Sequence, residues 1–87
     1  MLDEFIGKKV VIDFHSEFVC LGLLKAFDDH FLDVRNCDLH DLRDTDNTRE
    51  NYVAGSVSTG VKRNRKRVLV SRKDVIAISL MEEVVDD

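Results

Sequence analysis

At 87 residues, with 44% hydrophobic and 34% charged side chains and neither Pro nor Trp, the chain is unlike collagen or low-complexity sequence and fits one soluble globular domain. This size lies near the limit at which a single core suffices without metals, disulfides or partners, so association of copies is expected. The net charge of −4 is unevenly spread: eight of the 17 acids fall between positions 28 and 50, while Lys62, Arg63, Arg65, Lys66, Arg67, Arg72 and Lys73 supply seven of the 13 basic residues. A polyanion partner therefore stays open, because salt screens exposed charges from one another beyond about 8 to 10 Å.

Positions 2–6 read as one helical turn, with Leu2, Phe5 and Ile6 on one side, Asp3 and Glu4 near its start, and Gly7 ending it. From 9 to 14, Val10, Ile12 and Phe14 alternate with Val11 and Asp13 at the period of a half-buried strand. After a short connection at 15–17, residues 18–27 form a long second strand in which Gly22 marks a bend, a bulge or the close approach of another backbone. Asp28 and Asp29 turn the chain into a third strand over about 30–39, with Phe31 and Val34 offered to the core.

Residues 42–67 mix acids, Asn, Thr, Ser and Gly with scattered Tyr52, Val53, Val57 and Val61. A connection this long in a small domain counts against a simple loop: either the third and fourth strands extend into a projecting hairpin, partly paired over 52–59, or the tip is mobile, and a partly ordered projection, weakly ordered near 44–51, is expected. The chain resumes with a strand at 68–70, a turn at 71–74, a last strand at 75–80 and a frayed acidic tail at 82–87. Five short strands and one helical turn give an all-β class, a barrel or sandwich-like fold, in a single domain over 1–81.

Cys20 and Cys37 each fall within a strand, where a buried thiol behaves as a small hydrophobe, so a reduced pair is expected. Cys37, His30 and His40 lack paired zinc-ligand spacings, and no cofactor is implied. No apolar run approaches the roughly 20 residues that cross a bilayer. The start, Met1-Leu2-Asp3-Glu4-Phe5, puts acids where a signal peptide carries basic residues, so a cytoplasmic setting without membrane contact is expected. A Gly-rich phosphate loop, a nucleophile elbow and a paired histidine motif are all missing, and the chain reads as a non-enzyme.

Three stretches in order resemble one family. They are Ile6-Gly7-Lys8-Lys9-Val10; Gly22-Leu23-Leu24 with Phe27-Asp28-Asp29-His30; and Val70-Ser71-Arg72-Lys73-Asp74-Val75-Ile76-Ala77-Ile78. Their order and spacing are similar to those of the Sm/LSm domain. The resemblance implies a short helix on a strongly bent five-stranded antiparallel sheet, a small open barrel. Its fourth strand would pair with the fifth strand of a neighbour until a homo-oligomeric ring closes. It also implies RNA binding at a rim where the family uses a stacking side chain, an Asn and an Arg; by position these slots hold His30, Leu32 and Ser71. His30 retains an aromatic face, Leu32 cannot read a base edge, and Ser71 replaces a charged fork with a hydroxyl, so uridine selectivity is expected to be weakened. Arg72, together with Lys62, Arg63, Arg65, Lys66 and Arg67, would contact the phosphates of RNA or another polyanion. The other reading is an Sm-like oligomer that no longer binds RNA and engages protein partners through the 42–67 insertion.

Overall fold

In the computed structural model, which describes residues 1–44 and 47–85, the alternating segments become β1 (Lys9–Phe14), β2 (Phe18–Phe27), β3 (Phe31–Asp41), β4 (Arg65–Ser71) and β5 (Val75–Leu80). All pairings are antiparallel in the order β4-β3-β2-β1-β5, which leaves β4 and β5 as the two edges. One 3₁₀ turn, Leu2–Phe5, precedes the sheet, and its Leu2 and Phe5 pack against the core. Gly7 then reverses the chain with φ 80°, and its N–H donates to the Leu24 carbonyl at 2.7 Å.

Both faces of the middle strands are covered. Val10, Ile12, Cys20, Leu24, Leu32, Val34, Cys37 and Val70 fill the concave side. Val11, Val19 and Leu21 point the other way and meet Val53 and Met81. This double burial explains why Val10-Val11-Ile12 and Val19-Cys20-Leu21 are unbroken apolar runs instead of strict alternations. Cys20 and Cys37 are free and buried.

The bend is concentrated where β2 crosses β3. Their register slips between Leu21 and Leu23 and again between Leu24 and Ala26, and Asn36 takes φ 50° beside the first slip. A Cβ on Gly22 would lie 2.5 Å from the Cys37 Cβ, so the two strands approach as closely as they do because position 22 has no side chain.

The segment between β3 and β4 departs from the expected projection. After a 3₁₀ turn at Leu42–Asp44 it forms a helix, α1 (Arg49–Thr59), which lies against the convex face of the sheet. Of the span expected to be weakly ordered, residues 45 and 46 lie outside the described residues and 49–51 belong to α1. The Thr48 hydroxyl accepts the Asn51 N–H at 3.2 Å, and Gly60, at φ 95°, ends the helix. Gly55, Ser56, Ser58, Thr59 and two valines are weak helix formers, so tertiary contacts hold α1 in place. Val53 is buried on Val11, Val19 and Leu21, and the Tyr52 ring stacks on His40 with centroids 4.1 Å apart. The Tyr52 hydroxyl donates to Asp38, a buried carboxylate that also receives the Asn64 side-chain amide at 3.1 Å. That amide exchanges two 3.0 Å bonds with the Leu39 backbone, extending the β3–β4 ladder one residue beyond β4. After β5, a 3₁₀ turn at Met81–Glu83 buries Met81 on the convex core, and Val84 packs beside it. The last two acids of the expected tail, Asp86 and Asp87, lie outside the described residues.

Candidate nucleic-acid interface

Two turns meet at one end of the sheet. In the first, Asp28 Oδ1 accepts the N–H groups of His30 at 2.8 Å and Phe31 at 2.7 Å, and these bonds hold the Asp28 carboxyl below its ordinary value. The second is the 3₁₀ turn Arg72–Asp74 between β4 and β5. Its Arg72 N–H donates to the His30 carbonyl at 2.9 Å, and the Arg72 guanidinium donates to the Asp28 carbonyl while lying 5.8 Å from the Phe27 ring centroid. The turns are thereby locked to each other across the β3–β4 pair Phe31↔Ser71. Between them lies an open cleft lined by Asp29, His30, Phe31, Ser71, Arg72 and Lys73.

His30, Ser71 and Arg72 are thus brought together. Leu32 is not: it is 2% exposed and belongs to the concave core, while its neighbour Phe31, expected inside, is 43% exposed and lines the cleft. Asp29, Phe31 and Lys73 are the cleft residues the sequence reading left out. The signal for Phe31 was present, because Leu32 and Val34, two apart, share a strand face, whereas Phe31 and Val34, three apart, do not. The cleft offers two aromatic faces, a guanidinium, an ammonium and one hydroxyl, against a single carboxylate. Such a set can stack a base and hold a phosphate, but it contains no side-chain amide to read a base edge.

The remaining basic residues lie elsewhere. Lys62, Arg63, Arg65 and Lys66 are exposed around the far end of β4, and six strand residues at about 3.3 Å each separate Arg65 from Ser71 by about 20 Å. Arg63, Arg65 and Lys66 line a shallow groove with Asn36 and Asn64. Arg67 is engaged within the protomer: it donates to both oxygens of Asp33 at 3.2 and 3.3 Å, and Arg35 does the same at 2.9 and 3.2 Å. The two guanidinium groups hold the Asp33 carboxyl at about 2. Because this value is depressed, the stabilisation is present above the ordinary carboxylate value of 3.8 and is lost as pH falls toward 2. With solvent screening, Asp33→Asn should cost about 1 kcal/mol at neutral pH, and the deficit should vanish in acid; urea titrations of both proteins across this range check it. Among the described residues no group of three or more His, Cys, Asp or Glu side chains could hold a metal ion.

Neither a protein-family model nor a curated protein matches the sequence. Solved structures do match its shape. An Sm protein from Pyrococcus abyssii in complex with a uridine heptamer superposes with TM-score 0.63 at 16% identity, covering 91% of this chain and 90% of that one. A heptameric archaeal Sm protein superposes with TM-score 0.60 at 22% identity, covering 91% and 93%.

The chain has the Sm fold.

A chain of the NatC complex bound to Gag peptide and CoA is similar over a greater length, 97% of this chain and 96% of that one, with TM-score 0.61 at 18% identity. Among the described residues of this Sm fold β4 pairs only with β3 and β5 only with β1, which leaves an edge on each. Leu69 on β4 and Ile76 on β5 are 51% and 57% exposed.

Proposed function

We propose that the chain is an Sm-fold subunit that assembles through its sheet edges and binds single-stranded RNA in the cleft between the β2–β3 and β4–β5 turns, with weak base selectivity. The observation that carries this reading is the convergence of His30, Phe31, Arg72 and Lys73 on one open cleft. Assembly is supported by the unpaired ladder groups of β4 and β5, which a second copy would satisfy, and by the apolar side chains exposed on both strands. Repetition of such joins would set the clefts of successive copies side by side, so that one strand of RNA could cross several. The likeness to a uridine-bound Sm protein supports the ligand class. The weakened selectivity follows from Leu32 lying in the core and from Ser71 offering only a hydroxyl.

Titration of labelled uridine-rich and adenine-rich RNAs at low and high salt tests this. Binding that weakens with salt and favours neither base strongly is expected; no binding at low salt would eliminate the reading. Phe31→Ala should weaken binding about tenfold through lost stacking. Lys73→Ala should weaken it on both sequences alike and flatten the salt dependence by about one contact. Native mass spectrometry of the same samples counts the copies.

A second reading, a subunit held by a different protein, is favoured by the longer match to the NatC chain and by Val57, 44% exposed on α1. Val57→Asp would then abolish capture of that protein while leaving RNA binding unchanged.

A further inference from the structure

The two sheet edges carry charge at their ends, and the signs are arranged so that two β4 edges repel. Ahead of and within the start of β4, Arg63, Arg65 and Lys66 are exposed and make no ion pair with a described residue. Past its end come Arg72 and Lys73. β5 is uncharged, follows Asp74, and runs into Glu82 and Glu83, which are exposed and likewise make no ion pair with a described residue.

Pairing β4 with a second β4, in either direction, sets Arg65 and Lys66 beside other cations. Parallel pairing of β5 with a second β5 sets Glu82 and Glu83 beside each other, whereas antiparallel pairing sets them beside Lys73 and Arg72, so charge opposes only the parallel one. A parallel β4–β5 join puts the basic run next to Arg72 and Lys73, which precede β5, and so repels at that end. An antiparallel β4–β5 join does the opposite. With Ser71 of one copy opposite Val75 of the next, Lys66 falls opposite Leu80, so Arg63 and Arg65 reach the end of the join where the 3₁₀ turn Met81–Glu83 carries Glu82 and Glu83.

We propose that Arg63, Arg65 and Lys66 of one copy clasp Glu82 and Glu83 of the next, so that edge charge favours the head-to-tail antiparallel join over pairing of β4 with itself. This rests on the assembly reading above and names what fixes its direction. A head-to-tail join is heterologous and can close only as a ring, whereas a self-paired edge stops at a dimer. The same basic run is then occupied at the subunit boundary, and the RNA cleft about 20 Å away keeps its own cations.

Charge reversal tests it on the full chain, with sedimentation and native mass spectrometry reporting assembly and thermal unfolding reporting the fold. Glu82→Lys with Glu83→Lys should raise the concentration for half-assembly at least about tenfold at low salt, as should Arg63→Glu with Arg65→Glu and Lys66→Glu. Combining all five changes in one chain should restore assembly, since the pairs are re-formed with signs exchanged. Assembly of the unaltered chain should weaken from low to high salt. A chain that stays monomeric at every concentration overturns the assembly reading and the clasp together. Assembly that ignores salt, or that survives either single reversal, overturns the clasp alone. So does a five-fold variant that folds but is not rescued. RNA affinity falling in step with the basic-run reversal in protein that remains assembled would assign those residues to RNA and overturn the clasp.

Discussion

Replacing Gly22 with Ala is expected to destabilise the fold by about 3 kcal/mol, at the upper end of what overpacking costs. The added Cβ would meet the Cys37 Cβ at 2.5 Å, Val34 Cγ1 at 2.9 Å and the Arg35 carbonyl oxygen at 3.0 Å. None of these is the free end of a flexible side chain: two are anchored in buried residues of β3 and the third is backbone. Relief would require β2 and β3 to move apart at the point where their register slips, flattening the bend that brings the edges round. Gly55 supplies the control. It lies within α1, a Cβ there meets nothing within 4 Å, and Gly55→Ala should stabilise by about 0.5 to 1 kcal/mol through helix propensity and a less flexible unfolded chain. Urea midpoints at unchanged slope give both numbers. A Gly22→Ala protein within about 0.5 kcal/mol of the original would show that the strands are not held at this crossing by the missing side chain.

The strands were legible because their signal is local. β1, β2 and β5 begin and end where alternation and turn residues put them, at Lys9–Phe14, Phe18–Phe27 and Val75–Leu80. α1 was hidden for a physical reason: its composition argues against helix, and what holds it is burial of Val53 and the bonds of Tyr52, which exist only once the sheet has formed. Thr48 before the segment and Gly60 after it were the available punctuation for a helix of this length. At the site, the slots given to His30, Leu32 and Ser71 all came from family position, and the structure draws His30 and Ser71 into one cleft with Arg72. Leu32 does not join them, because parity with Val34 sends it into the core and Phe31 to the cleft. The basic run was read as continuous with Arg72, yet extended chain carries the two ends of β4 far apart.

Tyr52→Phe is expected to cost about 2 kcal/mol, although the hydroxyl is the only group removed. Asp38 is 6% exposed, and loss of the phenol removes one of the donors to its carboxylate, the Asn64 amide being another. The same change loosens the attachment of α1 to β3, so amide exchange across Arg49–Thr59 should accelerate more than exchange in β1 and β2. The pH dependence separates this account from a general packing defect. Burial raises the Asp38 carboxyl above its ordinary value, with the neighbouring His40 and Lys62 charges opposing. A raised acid binds its proton more tightly in the folded chain, so its contribution to stability declines as pH rises from the ordinary carboxylate value through the raised one, then levels off. Without the hydroxyl the carboxylate is still less favoured, so that decline deepens. The deficit of Tyr52→Phe should therefore be smallest in acid, where Asp38 is protonated in both states, and largest at neutral pH. Subtracting the two stability curves removes the opposite acid-side trends of Asp33 and Asp41, whose carboxyls are held at about 2 by arginines that the substitution leaves in place. A deficit constant across pH would mean that the phenol does not serve the Asp38 charge, and that stacking on His40 and burial of Val53 suffice to hold α1 on the sheet.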